Sequence, residues 1–244
     1  MSNTCITFDE YLKRNIVNKG EDYTHTRIGS KEQKISGGLY QIKDIQSFMD
    51  KYYQHVFVHK KKEYLTEKQK MEDAPLAIDI DMRYSKEIKK KQHTKEHIID
   101  AINLYVKNIN TVFDIPPNFE LEIYVMEKPD VNILENKTKD GIHIIFGLLM
   151  HRAVQIYLRE KVLSELKEIW EDLPLTNTVD ELIDEGVTRG NVGWQMYGSR
   201  KPNNQAYLLK YSFNVCWNQD DDSWILNENN VEKFEIKKQI HTHA

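Results

Sequence analysis

The chain has 244 residues, 40% hydrophobic and 30% charged, with a formal net charge of −4. That composition excludes a disordered chain, and the acidic balance excludes a uniformly basic coat for nucleic acid, so any nucleic-acid function must rest on local patches. No apolar run approaches the roughly 18 residues of a membrane span, and the first residues lack the basic-then-apolar order of a signal peptide. The length suits one large domain or two small ones sharing a cleft. Cys5 and Cys216 are too few for a four-cysteine zinc site and too far apart for a CxxC pair. A reduced, intracellular setting is the simplest expectation.

Hydrophobic spacing predicts the elements in chain order. Residues 7–18 have helical spacing, with Phe8, Tyr11, Leu12 and Ile16 on one side. Residues 38–42 alternate as a short strand after a double glycine, and 44–55 read as helix. Residues 76–82 (LAIDIDM) form a strand, and 94–112 a helix with Ile98, Ile102, Tyr105 and Ile109 on its stripe. Strands follow at 119–126 and 142–149, a helix at 153–170, a helical turn at 179–183, and strands at 194–197 and 206–215. Strands and helices mix without strict alternation, so the fold class is α+β with mostly antiparallel pairing. Two lysine-rich stretches, 59–70 and 86–95, flank the first long strand and read as solvated loops or helix ends before they read as nucleic-acid contacts. Asp220, Asp221 and Asp222 read as a solvated turn between strands, and His241 and His243 as part of a disordered tail.

Three short segments carry chemistry. In Leu76-Ala77-Ile78-Asp79-Ile80-Asp81-Met82, strand alternation puts Asp79 and Asp81 on one face and Ile78, Ile80 and Met82 on the other. Two adjacent carboxylates repel, and a divalent cation between them removes that cost; oxygen ligands of this kind suit Mg²⁺ or Mn²⁺. The competing reading is an edge strand with solvated acids, but the flanking isoleucines argue for a central strand. In the segment from Lys137 to Phe146, Gly141 and His143 share a face, and Lys139 lies on it by period two. Gly141 permits close approach. His143 serves either as a donor to a phosphate oxygen or as a satisfied core histidine, and Lys139 favours an anion site. Further on, Asp184 ends an apolar turn, Arg189 follows it, and Arg200-Lys201 follows a Gly-Ser turn. Alone, Asp184 would be a cap or surface acid, and the basic pair a loop. Arg27, in a strand-like context before Gly37-Gly38, is either a triphosphate or template contact or a surface arginine.

In that chain order the signals resemble the archaeo-eukaryotic primase superfamily: an acidic pair, a small residue two before a histidine, then a third aspartate. The similarity is greatest to the primase domain at the N-terminus of the primase-helicases of poxviruses and other large nucleocytoplasmic DNA viruses. Their His-Ile-Ile-Phe strand is matched at His143 to Phe146, their Ile-Asp-x-x-Val turn at Ile183, Asp184 and Val187, and their Gly-(Ser/Thr)-Arg-Lys segment at Gly198 to Lys201. The motifs span Asp79 to Asn203; the first 70 residues match loosely.

The resemblance implies a primase fold, an RRM-like sheet with a second α/β unit forming a cleft, divided here as residues 1–70 and 71–244. It implies template-dependent nucleotidyl transfer, as a DNA primase or primase-polymerase. Asp79, Asp81 and Asp184 would hold two Mg²⁺ or Mn²⁺ ions and, with His143, form the catalytic set. Lys139, Gly141, His143, Arg189, Arg200, Lys201 and Arg27 would bind the nucleotide. Gly141 stands where many relatives have serine, so its backbone N–H would take over the phosphate contact or the contact is lost. Gln195 and Thr188 depart from an arginine and a tyrosine. Implied partners are nucleoside triphosphates, a single-stranded DNA template touching the lysine runs or Trp194, and a helicase domain in the same or a partner chain. No phosphate-binding GxxxxGK[ST] loop is present, so the expectation is a monomeric N-terminal piece of a longer protein or a stand-alone primase, acting in host cytoplasm if viral. Two rivals remain: a non-catalytic nucleic-acid-binding module, and a metal-dependent nuclease.

Overall fold

Burial along the acidic strand follows the alternation of its sequence. Ile78, Ile80 and Met82 are buried, while Asp79 and Asp81 between them keep partial exposure. The computed structural model describes residues 6–116, 119–218 and 223–233. Cys5, Asp220 to Asp222, His241 and His243 lie outside them. The chain is α+β, with five α-helices and two antiparallel sheets among the described residues. It divides into two units: one from the described parts of Met1–Gln69, Gly193–Ala206 and Glu232–Ala244, the other from Lys70–Val192 and Tyr207–Val231.

The first unit holds α1 (Phe8–Arg14), β1 (Ile16–Val17), β2 (His25–Arg27), β3 (Gly38–Tyr40), α2 (Ile45–Tyr53), β4 (Leu65–Glu67) and β9 (Trp194–Gln195). Its sheet runs β1-β3-β2-β4-β9. A capping box of Thr7 and Glu10 starts α1, and Asp44 caps α2 through the Ser47 N–H. The core is aromatic, with Phe8, Phe48 and Tyr52 packed ring on ring at 5.8–6.0 Å. The helix expected over 7–18 ends at Arg14, and Ile16 is exposed in β1 instead of on the helical stripe. The lysine run 59–70 is not loop throughout. Glu63, Tyr64 and Leu65 are buried, and β4 begins inside it.

The second unit holds β5 (Asp73–Tyr84), α3 (Lys95–Asn110), β6 (Glu120–Glu127), β7 (Asn132–Ile133), β8 (Thr138–His151), α4 (Arg152–Ile169), α5 (Glu185–Thr188), β10 (Leu208–Asn218) and β11 (Ser223–Asn229). The order β11-β10-β6-β8-β5, with β7 beside β8, makes six strands. Ile98, Ile102 and Tyr105 of α3 and Leu158, Val162 and Leu166 of α4 share one core with Ile78, Ile80, Ile123, Val125, Ile142 and Ile144. Both long helices therefore cover the same sheet face, and the odd-numbered side of β5 and β8 is left for Asp79, Asp81, Lys139, Gly141 and His143. Strand β8 starts at Thr138, earlier than its apolar run suggests, so all three of these β8 residues lie on regular strand.

The isoleucine-flanked strand is not central. β5 ends the sheet order, and its outer edge is paired by an irregular segment instead of a strand. The Asp184 N–H donates to the Asp79 carbonyl at 2.9 Å, and the Asp81 N–H to the Leu182 carbonyl at 2.8 Å. The Asn177 side chain donates to the Asp81 carbonyl and accepts from the Arg83 N–H. A strand edge needs these groups satisfied, and residues 176–184 do it here. This is how an apolar inward face coexists with an edge position.

Candidate active site

Strand register builds the site. β5 and β8 run antiparallel with Asp79 opposite His143, Asp81 opposite Gly141, and Arg83 opposite Lys139. The His143 Nε2 lies 3.5 Å from Asp79 Oδ1, and the Lys139 Nζ lies 3.9 Å from Asp81 Oδ2. Side-chain exposure rises outward, from 6% at His143 and 18% at Asp79 to 32% at both Asp81 and Lys139. These separations exceed the 2.7–2.9 Å of a charge-assisted hydrogen bond.

Asp184 reaches the site through its backbone, because the edge pairing of β5 sets it beside Asp79. Its side chain caps α5, accepting from the Val187 N–H at 2.9 Å. Two arginines of α4 hold this segment from beneath. Arg159 donates from Nε to the Ile183 carbonyl at 2.9 Å and from Nη2 to the Asp180 carbonyl at 2.7 Å. Arg152 donates to Gln155 Oε1 and to the carbonyls of Lys70, Val187 and Thr188. Asp79, Asp81 and Asp184 thus lie on adjacent, hydrogen-bonded backbone. Among the described residues, no three histidine, cysteine, aspartate or glutamate side chains are gathered closely enough to hold a metal ion. The donor chemistry fits a hard divalent cation: carboxylate oxygens on one strand face, with a third carboxylate whose Oδ1 is engaged by the cap.

Two structural features bear on Gly141. Its backbone N–H donates to the Asp140 carboxylate at 2.9 Å, so it does not point at a ligand. The close approach that glycine permits is made by Tyr207, whose hydroxyl would lie 2.5 Å from a Cβ at 141. The Tyr207 ring stacks on His143, centroids 3.5 Å apart and planes 15° apart. Burial, with the charges of Asp79, Asp81 and Asp140, pushes the Tyr207 phenol well above its ordinary range and keeps it protonated.

The remaining candidates fall in different places. Arg189 is exposed and pairs with Glu185 one turn away at 2.7 Å. Lys201 is exposed in the first unit, where Arg200 donates its backbone N–H to the Glu63 carbonyl. Gln195 donates to the Ser199 carbonyl at 2.6 Å. Arg27 is not a surface arginine. It is buried and donates to both Glu63 oxygens at 2.7 Å and to Asp9 at 2.7 Å. Glu63 is itself buried, so Arg27 ties together α1, β2 and the residues just before β4.

Below Gly141, on the helix side of β8, lies a cluster with no sequence signal. His93 contacts Glu127 Oε1 at 2.9 Å and Asp140 Oδ2 at 3.1 Å, and Lys91 bridges the same two carboxylates at 3.2 and 3.3 Å. Burial pulls His93 down, but hydrogen bonds to Asp140 and Glu127 more than offset it and raise its pKa. Burial alone would raise both acids; His93 and Lys91 instead hold them below their ordinary values.

Comparison with known proteins places the chain in a family. A family profile described as "C962R protein N-terminal AEP domain", AEP denoting archaeo-eukaryotic primase, matches residues 29–213. An Acanthamoeba polyphaga mimivirus protein named "Putative helicase L207/L206" is 30% identical over 212 residues, covering 85% of this chain. The chain spans 22% of that relative's length. The acidic strand, the facing histidine strand and the Asp184 turn all lie within the matched span. The chain therefore belongs to the archaeo-eukaryotic primase family, by its match to the C962R N-terminal AEP domain over most of its length.

Proposed function

We propose that the odd-numbered face of β5 and β8 catalyses template-dependent nucleotidyl transfer, making or extending primers for viral DNA replication. The observation that carries this reading is the register: Asp79 faces His143, Asp81 faces Gly141, and the Asp184 backbone is bonded to Asp79. One strand face thus carries Asp79 and Asp81 with a histidine and a lysine beside them, and the Asp184 backbone lies against its edge. Asp79, Asp81 and Asp184 would hold Mg²⁺ or Mn²⁺, which when bound makes the attacking hydroxyl more acidic and neutralises charge on the leaving pyrophosphate. In the reaction, a 3′-oxygen bonds to the α-phosphorus of a nucleoside triphosphate, the bond to the β,γ-pyrophosphate breaks, and the hydroxyl proton leaves to solvent. His143 donates to a triphosphate oxygen, and Lys139 supplies positive charge where phosphate charge develops. Arg189 can exchange its exposed partner Glu185 for phosphate. The roles of Arg200 and Lys201 on the triphosphate rest on the family motif alone. The mimivirus relative's name supports a helicase segment working with this domain.

The test is incubation with single-stranded DNA, Mn²⁺ or Mg²⁺ and labelled ribo- or deoxyribonucleoside triphosphates. Template-dependent product that disappears in Asp79→Ala plus Asp81→Ala supports the proposal. DNA binding without product indicates a binding module, and shortening of the template indicates a nuclease.

A further inference from the structure

We propose that Tyr207 is the positioning residue for His143, and that its hydroxyl is the reason position 141 is glycine. The inference deepens the nucleotidyl-transfer reading and rests on it for the meaning of His143. Three elements meet at this point. His143 and Gly141 come from β8, Tyr207 from the residue just before β10, and Lys128 from the residue just after β6. β6 lies between the other two strands, so the tyrosine ring reaches across it. The ring planes of Tyr207 and His143 are nearly parallel at van der Waals separation, and the Lys128 ammonium lies 4.5 Å from the Tyr207 centroid. Both aromatic side chains are buried. An imidazole stacked in this way cannot turn about its last side-chain bond without losing the contact. Its Nε2 edge is then held toward Asp79, the direction needed for a triphosphate bound over the acids.

The second half of the proposal is steric. A Cβ at position 141 would meet the Tyr207 hydroxyl at 2.5 Å, the Ile80 carbonyl at 3.2 Å and the Tyr207 Cζ at 3.5 Å. Only the hydroxyl contact is prohibitive. Any side chain at 141 must push the tyrosine away and turn the histidine with it. Glycine at 141, tyrosine at 207 and the orientation of His143 are therefore one interlocked choice.

The experiment compares wild type with Tyr207→Phe, Tyr207→Leu, Gly141→Ala and the double variant Gly141→Ala plus Tyr207→Phe. Readouts are the His143 ring-proton resonances, thermal unfolding, and KM for nucleotide and for template. Tyr207→Phe keeps the upfield ring-current shift of His143; Tyr207→Leu loses it. Gly141→Ala and Tyr207→Leu each lower kcat/KM by about 10–10²-fold, the scale of a misplaced catalytic group, with the rise in nucleotide KM and none in template KM. In the Tyr207→Phe background, Gly141→Ala recovers the His143 shift and most of the lost stability and activity, because the obstructing oxygen is gone. The proposal is overturned if Gly141→Ala is equally damaging with phenylalanine at 207, or if His143 resonances ignore Tyr207→Leu. The resonance and unfolding arms need no turnover, so they decide the interlock even if wild type makes no product. That latter result would overturn the nucleotidyl-transfer reading and leave the interlock standing.

Discussion

Strand β8 separates two groups of acids and bases that obey opposite logic. On its helix side, Lys91 and His93 meet Glu127 and Asp140 at 2.9–3.3 Å, with the His93 and Asp140 side chains 2% and 0% exposed. On its other side, Lys139 and His143 stand 3.9 and 3.5 Å from Asp81 and Asp79, and the acids retain 18–32% exposure. The first group neutralises itself; charges taken out of water persist only when paired this closely. The second holds two carboxylates side by side on one strand face and partly open to solvent, the setting in which the proposed nucleotidyl transfer would place a divalent cation. The lesson is that clustering of charge does not by itself mark a site; burial and solvent access separate the two groups.

The comparison breaks most visibly if the two groups respond alike to truncation. Asp140→Ala leaves His93 and Lys91 facing one carboxylate, and is expected to cost about 3–5 kcal/mol in urea unfolding. Asp81→Ala removes one of two repelling acids, and is expected to change stability by no more than about 0.5 kcal/mol. Equal losses would mean that the open face is structural too. Arg27 belongs with the closed group: Arg27→Ala strands the buried Glu63 and should cost about 3–5 kcal/mol by the same measurement. A drop in nucleotide affinity with unchanged stability would return Arg27 to the binding residues.

A smaller effect separates the groups by pH. Glu127 and Asp140 are held below their ordinary values of 4.5 and 3.8, so their stabilisation is present above those values and is lost as pH falls through the depressed ones. His93 is raised above 6.5, so its contribution is complete below 6.5 and is lost as pH rises through the raised value. The closed cluster therefore stabilises the fold most between about pH 4.5 and 6.5. His93→Gln should remove the alkaline decline in unfolding temperature, while an unchanged decline would show that the cluster is not its source. Smallest of all, Arg189→Ala breaks an exposed pair and should leave the unfolding midpoint unchanged. Its effect should show in nucleotide KM instead.

Much of this was legible in the sequence. Period-two and helical spacing located the long strands and helices, and the alternation in LAIDIDM placed Asp79 and Asp81 opposite the core. The position of β5 was not legible, because the partner of its edge is an irregular segment about 100 residues later, held by Asn177 and by arginines that look like ordinary surface residues of α4. The lysine runs hid buried groups for a related reason. Lys91 and His93 are balanced by acids 34–49 residues away, and a three-residue strand such as β4 carries too little pattern to show within a charged stretch. Tyr207 left one trace, the glycine at 141: that residue signalled a close approach without naming what approaches.

The most direct test of the account is a crystal grown with Mn²⁺ and a non-hydrolysable nucleoside triphosphate, with anomalous scattering used to locate manganese. The account predicts manganese between Asp79, Asp81 and Asp184, with phosphate oxygens beside His143 and Lys139. Manganese at Glu127 and Asp140, or none near Asp79 while triphosphate is bound elsewhere, would contradict it.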